Sequence, residues 1–166
     1  MTLKRPSWPD GQLVTVEHRS KVLADNPLGD PHERRFPVWL PPQYSKTRSR
    51  RFPVLFDLVG YTGSGWSHPN WKNFEDNLPE RLSRLLHQRL MGPCIVVFPD
   101  CFTALGGNQY INSSAIGRYA DYLTRELIPF IDREFRTLAE RDHRGCFGKS
   151  SGGYGAMVHG MRYAKY

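Results

Sequence analysis

A serine flanked by glycines is the part of this sequence that most clearly carries chemistry. Residues 148–152 read Gly-Lys-Ser-Ser-Gly, so Ser150 lies two positions from a glycine on each side. This G-x-S-x-G pattern is typical of a nucleophile elbow, a tight strand-to-helix turn that exposes a serine hydroxyl. The N-terminus of the helix that follows would direct its partial positive charge at a developing oxyanion. The pattern therefore predicts Ser150 as a catalytic nucleophile.

Two other interpretations of this turn fit the residues less well. A phosphate-binding loop would need a glycine five positions before Gly148, and that position is His143. Ser151 as the nucleophile would need a glycine two positions before it, and that position is Lys149. Because Lys149 is adjacent to Ser150, it should project away from it, and a Ser–Lys pair is not expected.

A second glycine-rich turn spans residues 60–65 and follows an apolar run. Ester hydrolysis passes through a tetrahedral oxyanion, which needs two hydrogen-bond donors already in place. One donor is normally the backbone N–H after the nucleophile, here that of Ser151, and the other comes from a loop after an early central strand. Tyr61 is the candidate for the second N–H. An ordinary glycine turn is the alternative interpretation of residues 60–65.

The segments around these turns alternate between strand and helix patterns. Alternating or continuous apolar runs predict strands, and apolar residues every three to four positions predict helices. The short spacings favour parallel crossover connections after an antiparallel N-terminal hairpin. This arrangement indicates an α/β fold with a mostly parallel sheet and helices on both faces. We expect one domain over residues 1–166. Pro129 predicts a kink or restart of its helix. Strands are predicted at 13–20, 35–40, 53–59, 94–98 and 144–147, and helices at 78–90, 116–127, 130–135 and 153–163.

Composition limits the class of protein. The 166 residues are 39% hydrophobic and 13% aromatic, which is typical of a folded domain. No stretch approaches the roughly 20 apolar residues of a membrane helix, and the first eleven residues lack the apolar centre of a signal peptide, so we expect a cytoplasmic protein without a membrane partner. Cys94, Cys101 and Cys146 lack metal-ligand spacing, so plain thiols are expected, the first and last of them inside strands.

The formal net charge of +7 is concentrated near the N-terminus. Residues 1–51 contain ten Lys or Arg and five Asp or Glu, against thirteen and eleven in residues 52–166. The densest run, residues 46–51, is interpreted as a solvated loop between two strands, with a functional anion site as the alternative. No aromatic residues interrupt the run and no nucleic-acid-binding motif accompanies it, so nucleic acid is not an expected partner.

Beyond single motifs, the chain resembles the esterase D family of the α/β-hydrolase superfamily, which includes S-formylglutathione hydrolases, enterochelin esterases, feruloyl esterases and mycolyltransferases. The order and spacing of several segments carry the resemblance. One departure is Val59, where members of the family often have a histidine before the oxyanion-loop glycine. The resembling segments are VWLPPQY (38–44), FPVL (52–55) leading to GY (60–61), VFPD (97–100), ELIPFID (126–132), FRT (135–137) and GKSSGGYGA (148–156).

The resemblance implies a serine carboxylic-ester hydrolase that acts on a small ester through an acyl-enzyme at Ser150, with no metal or organic cofactor. It also implies an acid and a histidine after the serine. The sixteen residues after Ser150 contain no Asp or Glu, and His159 lies about 13 Å along the predicted helix, where a place on the helix surface is expected. We therefore expect both partners beyond Tyr166, and an incomplete domain with little activity alone. His68 and His143 are not excluded by spacing, but the fold gives neither a reason to face Ser150.

Two alternatives share this fold: an acyltransferase, which would pass the acyl group to an alcohol, and a non-catalytic binding module. The sequence predicts neither the ester nor the oligomeric state. Aromatic and polar residues in the loops at the carboxyl ends of the strands either line a substrate pocket or pack the loops. These residues are Trp66, His68, Trp71, Asn108, Tyr110 and Asn112.

Overall fold

A five-stranded mixed sheet lies at the centre of the structure, a computed structural model that describes residues 9–163. Its strands are β1 (Gln12–Arg19), β2 (Glu33–Leu40), β3 (Val54–Leu58), β4 (Ile95–Val97) and β7 (Arg144–Gly148), and a separate two-stranded ladder contains β5 (Asn112–Ser113) and β6 (Gly117–Arg118). The order in the large sheet is β1-β2-β4-β3-β7. The pairs β1–β2 and β2–β4 are antiparallel, whereas β3 is parallel to both β4 and β7. The predicted α/β architecture, with an antiparallel N-terminal pair before a parallel core, is confirmed.

Helices cover both faces of the sheet, as expected. They are α1 (Pro42–Lys46), α2 (Leu78–His87), α3 (Tyr119–Asp121), α4 (Ile128–Glu134) and α5 (Ser151–Arg162), with a π-helical segment (Tyr122–Leu127) joining α3 to α4. Because side chains alternate along a strand, β3 sends Phe56 and Leu58 into the larger core and Leu55 into the smaller one. The smaller core lies under α2, and residues of the 119–134 segment and of α5 pack into the larger core.

The start of α2 was predicted well and its end was not. Asn77 caps the helix by accepting from Glu80 N at 2.9 Å, while the Glu80 carboxylate accepts from Asn77 N at 2.8 Å. The helix ends at His87. Leu90, which the periodic pattern included, lies outside the helix and is 71% exposed. Apolar spacing alone therefore extended the prediction past the end of α2.

The helical region from Tyr119 to Glu134 also differs from its prediction. Ile116 lies in the turn between β5 and β6 rather than in the helix. Pro129 is in the first turn of α4, directly after the π-helical segment. Proline lacks an N–H group, so the ladder of hydrogen bonds has to change around it. The predicted break at Pro129 is thus present as a wider turn within an otherwise continuous helical path.

The three cysteines are free thiols, as predicted. Cys146 lies in β7, whereas Cys94 immediately precedes β4. Burial raises the pKa of Cys94 and of Cys146 to about 11, so both stay protonated at neutral pH.

The basic run at residues 46–51 is exposed and connects β2 to β3, although its first residue, Lys46, ends the short helix α1. Within the described range 9–163, no helix combines the length and apolar character needed to cross a membrane.

Candidate active site

The turn at residues 148–152, called the elbow below, holds Ser150 in a backbone conformation that is rare for a residue with a side chain. Ser150 has φ 57° and ψ −122° and is exposed between β7 and α5. Its carbonyl oxygen accepts a hydrogen bond from Tyr154 N at 3.0 Å in the first turn of α5. Non-glycine residues with positive φ are uncommon and costly, and they concentrate at functional turns.

The two glycines of the motif are required by contact between the elbow and the end of β3. A Cβ atom at Gly148 would lie 2.2 Å from the carbonyl oxygen of Leu58. A Cβ atom at Gly152 would lie 1.7 Å from the same oxygen. Both distances are far inside van der Waals contact, so the spacing of the glycines follows from the close approach of the two backbones.

The glycine-rich turn after β3 packs directly against the elbow. A Cβ atom built on Gly60 would lie 3.7 Å from Ser150 Cβ, and Gly63 N donates to Gly60 O at 3.0 Å to close the turn. The Tyr61 hydroxyl donates to Leu105 O at 2.7 Å, which ties this turn to the loop at residues 101–111. Gly60 and Ser150 thus lie side by side. The two predicted N–H donors, Tyr61 and Ser151, are the next residues in the sequence.

Ser151 differs from Ser150 in that its hydroxyl is already engaged. The Ser151 side chain is buried, and its Oγ donates to Asn108 O at 2.7 Å and also lies 3.1 Å from Gln109 Oε1. As the first residue of α5, Ser151 has a backbone N–H with no acceptor inside the helix. The hydroxyl of Ser151 therefore holds the loop at residues 101–111 against α5, while its N–H group remains at the helix N-terminus.

The loop at residues 101–111 closes over one side of the elbow through Tyr110. The buried Tyr110 hydroxyl donates to Val59 O at 2.6 Å, and burial raises the pKa of Tyr110, so the phenol stays protonated. Its ring requires Gly155 in α5, where a Cβ atom would lie 2.7 Å from Tyr110 Cδ2. This contact links the end of β3 to the helix that follows Ser150.

His159 contradicts its prediction as a helix-surface residue, because it is fully buried. Its Nε2 lies 2.7 Å from Tyr110 O and donates to that carbonyl. Burial lowers the pKa of His159, and the hydrogen bond to Tyr110 offsets part of that shift. The prediction failed because the loop that covers this face of α5 lies about 50 residues earlier in the chain.

On the other side of the elbow lies an imidazole–carboxylate pair that sequence reasoning missed. His68 Nδ1 is 2.5 Å from Asp57 Oδ2; the Asp57 side chain is fully buried in β3, and that of His68 is 36% exposed. Both residues line a cavity of about 280 Å³ together with Gly148 and Lys149, called the elbow cavity below. His68 thus lines a pocket, one of the two alternatives predicted for it, and the cavity includes Gly148 and Lys149 of the elbow but not Ser150. The available signal was Asp57, a charged residue inside the apolar run at 53–59.

His143, by contrast, lies where the fold predicted, far from the elbow. It ends the short 3-10 helix Arg141–His143 that precedes β7, whereas Ser150 follows the carboxyl end of β7. The five residues of β7 separate the two by about 16 Å at the usual rise of a strand.

Several loop residues that were candidates for a pocket are engaged in packing. Asn108 is buried, donates from Nδ2 to Cys101 O at 2.6 Å, and accepts from Tyr110 N at 2.6 Å. Asn112 Oδ1 accepts from Asp121 N at 3.0 Å. Trp71, by contrast, is 71% exposed and is not packed in its loop. Residues 9–163 contain no group of three or more His, Cys, Asp or Glu side chains arranged to hold a metal ion.

Known esterases are similar to this chain in both sequence and structure. Residues 31–166 match the model of the family described as "Putative esterase". The chain is 31% identical over 132 residues to Esterase MT1326 of Mycobacterium tuberculosis (strain CDC 1551 / Oshkosh), and equally to Esterase Rv1288 of strain ATCC 25618 / H37Rv. The fold matches a ferulic acid esterase with a TM-score of 0.78 at 25% identity, and an S-formylglutathione hydrolase from Agrobacterium tumefaciens with a TM-score of 0.67 at 21% identity.

These matches cover most of this chain but only part of the other proteins. The two mycobacterial esterases match 76% of this chain, which corresponds to 25% of their own length. The two solved structures match 94% and 98% of this chain and 57% of each of theirs. The chain thus spans a quarter of the curated relatives and about half of the structural neighbours.

Proposed function

This chain belongs to the esterase family matched by residues 31–166, and on that premise we propose that it carries the nucleophile of a serine carboxylic-ester hydrolase, Ser150. The single observation that supports this role most directly is the backbone of Ser150, with φ 57° in an exposed turn between β7 and α5. A small-molecule ester is the proposed substrate. The cytoplasm stays a prediction from the sequence.

In the proposed reaction, Ser150 Oγ attacks the ester carbonyl carbon while a histidine accepts the hydroxyl proton. The tetrahedral intermediate collapses to an acyl-enzyme and the alcohol leaves with that proton, after which water attacks the acyl-enzyme to release the acid. The histidine and its acid partner are proposed to lie beyond Tyr166, because both follow the serine in the chain order of the α/β-hydrolase fold. The 57% coverage of the solved esterase chains is consistent with that proposal.

The backbone N–H groups of Tyr61 and Ser151 are proposed to stabilise the oxyanion. Gly60 lies against Ser150, and the N–H group of Tyr61 belongs to the peptide bond directly after Gly60. Ser151 begins α5, a helix of 12 residues whose N-terminal partial charge favours an anion. Donors held in place before the reaction stabilise the transition state without reorganisation.

Covalent labelling by a fluorophosphonate tests the nucleophile directly. We expect a protein that also contains the proposed histidine and acid to be labelled at Ser150. We expect Ser150→Ala to abolish labelling, because the serine oxygen forms the bond to phosphorus. Peptide mass spectrometry locates the adduct. Ser114→Ala is the matched control, since Ser114 is an exposed serine outside the elbow. Labelling that persists in Ser150→Ala would move the nucleophile elsewhere.

A further inference from the structure

The elbow cavity has the location of a substrate subsite. Its walls come from the carboxyl ends of β3 and β7, the loop after β3 and the first turns of α2, and Gly148 and Lys149 directly precede Ser150. Ligands bind at the carboxyl ends of parallel strands in α/β folds. Its volume of about 280 Å³ suits one substituent of a small molecule rather than a whole large ligand.

The charges that line this cavity leave a positive excess. Two carboxylates are present and both are paired, Asp57 with His68 at 2.5 Å and Asp76 with Arg84 at 2.7 Å. Three cationic side chains also line the cavity: Lys72, Arg81 and Lys149. Lys72 Nζ lies 3.6 Å from an exposed Glu75 carboxylate, and Arg81 and Lys149 form no ion pair within the described part of the chain.

The Asp57–His68 pair supplies a directional polar group in the same wall. Because the Asp57 carboxylate accepts from Nδ1 of His68, the Nε2 atom remains for a ligand, and it makes no hydrogen bond to residues 9–163. The second oxygen of the fully buried Asp57 carboxylate, Oδ1, also has no hydrogen-bond partner among those residues. Buried polar atoms are rarely left unpaired, so residues 9–163 alone do not satisfy this wall, and both atoms call for a hydrogen-bond donor.

From this arrangement we propose that the elbow cavity binds an anionic group of the ester substrate, a carboxylate on its acyl or alcohol half. The inference rests on the proposed function, because it places the bound anion at Gly148 and Lys149, the two residues that precede Ser150. Arg81 and Lys149 attract the carboxylate, while Nε2 of the neutral His68 ring is an acceptor for a hydroxyl or water beside it. Phe147 and Leu78 provide the apolar contact for the carbon chain that joins the carboxylate to the ester.

Equilibrium binding of two matched esters tests this proposal. The probes are monobenzyl succinate, which carries a carboxylate, and benzyl butanoate, which does not, and binding is measured calorimetrically with the Ser150→Ala protein so that neither ester is consumed. We expect tighter binding of the charged ester. We expect Arg81→Gln to weaken it about three- to fivefold, the scale of an exposed ion pair, and to leave benzyl butanoate unchanged.

Charge reversal separates an electrostatic role from a structural one. Arg81→Glu should abolish the preference for the charged ester, Arg81→Lys should keep it, and added salt should reduce it. Arg89→Gln is the control, because Arg89 is an exposed arginine outside the cavity. Circular dichroism of each variant checks the fold. Equal binding of the two esters, no binding of either, or a preference that survives Arg81→Glu would overturn the proposal.

Measuring ester hydrolysis distinguishes a failure of the anionic subsite from a failure of the proposed nucleophile. If Ser150→Ala abolishes hydrolysis while the two esters bind equally, the anionic subsite is wrong and the nucleophile stands. If the charged ester binds preferentially while Ser150→Ala leaves hydrolysis intact, the subsite stands and the nucleophile is wrong.

Discussion

The two sides of the elbow differ in how their hydroxyl and carboxylate groups are hydrogen-bonded within residues 9–163. On the closed side, defined as the contact of the loop at residues 101–111 with α5, Ser151 and Tyr110 are buried with their hydroxyls hydrogen-bonded. On the open side, the elbow cavity contains two acceptors with no hydrogen-bond partner among residues 9–163, Nε2 of His68 and Oδ1 of Asp57. Each side contains one histidine, and only His159 on the closed side is fully buried.

This contrast separates positioning from recognition. A packed and hydrogen-bonded side holds a strained residue such as Ser150 in place, since strain persists only where the surroundings enforce it. Polar atoms that have no partner among residues 9–163 remain available to a ligand or to another part of the protein. Changes on the closed side should therefore alter stability, and changes on the open side should alter which molecules bind.

The largest expected effect on stability comes from Gly152→Ala, at the contact that the closed side holds in place. The new Cβ would lie 1.7 Å from Leu58 O, so β3 and the elbow would have to separate. We expect a loss of about 3 kcal/mol or more in the free energy of unfolding, measured by urea denaturation.

Gly160→Ala is the matched control for that change. Gly160 lies in the same helix with nothing within 4 Å of a built Cβ, so alanine should stabilise α5 by about 0.5–1 kcal/mol. Equal effects at the two glycines would contradict the steric explanation of the motif.

An intermediate effect is expected for Tyr110→Phe, which removes the hydrogen bond to Val59 O and leaves that buried carbonyl without its donor. We expect a loss of about 1–3 kcal/mol, measured in the same way.

Tyr122→Phe serves as the control, because the Tyr122 hydroxyl is buried without a hydrogen-bond partner among residues 9–163 and removing it should be neutral or stabilising. A larger loss from Tyr122→Phe than from Tyr110→Phe would show that the hydroxyl of Tyr110 does not hold the closed side together.

The smallest effect is a pH dependence that His159 contributes. Burial lowers the pKa of His159 in the folded state below its ordinary value of 6.5, so the unfolded chain binds a proton more readily in the interval between the two values. The stability that His159 contributes is therefore full above pH 6.5 and falls as the pH decreases through that interval.

Comparison of the wild-type protein with His159→Gln isolates this contribution as a difference between two unfolding curves recorded at each pH. A difference that stays constant from neutral pH down through this range would mean that His159 is not held neutral by burial.

The elements with the strongest local patterns were predicted closely. The runs that became β1 to β4 and β7 were found within one or two residues at each end, because strand periodicity and prolines are local properties of the chain. The short ladder of β5 and β6 was missed, since two-residue strands leave no periodic signal. Leu90 and Ile116 were assigned to helices because a helical stripe of apolar residues does not mark where the helix ends.

The site divides in the same way between local and distant determinants. The register of Gly148 and Gly152 around Ser150 was readable because a single turn contains all three residues. The environment of His159 was not, because Tyr110 reaches it from a separate loop. His68 and Asp57 are 11 positions apart, and the loop after β3 brings them into contact.

By itself, then, the sequence determined the family, the order of the longer strands and helices and the residue that the elbow exposes, because each depends on spacing along the chain. Tertiary structure alone decided which side of the elbow is closed and which is open. That decision depends on the packing of segments far apart in sequence, where Leu58, Tyr110 and Asp57 meet partners that no local pattern identifies.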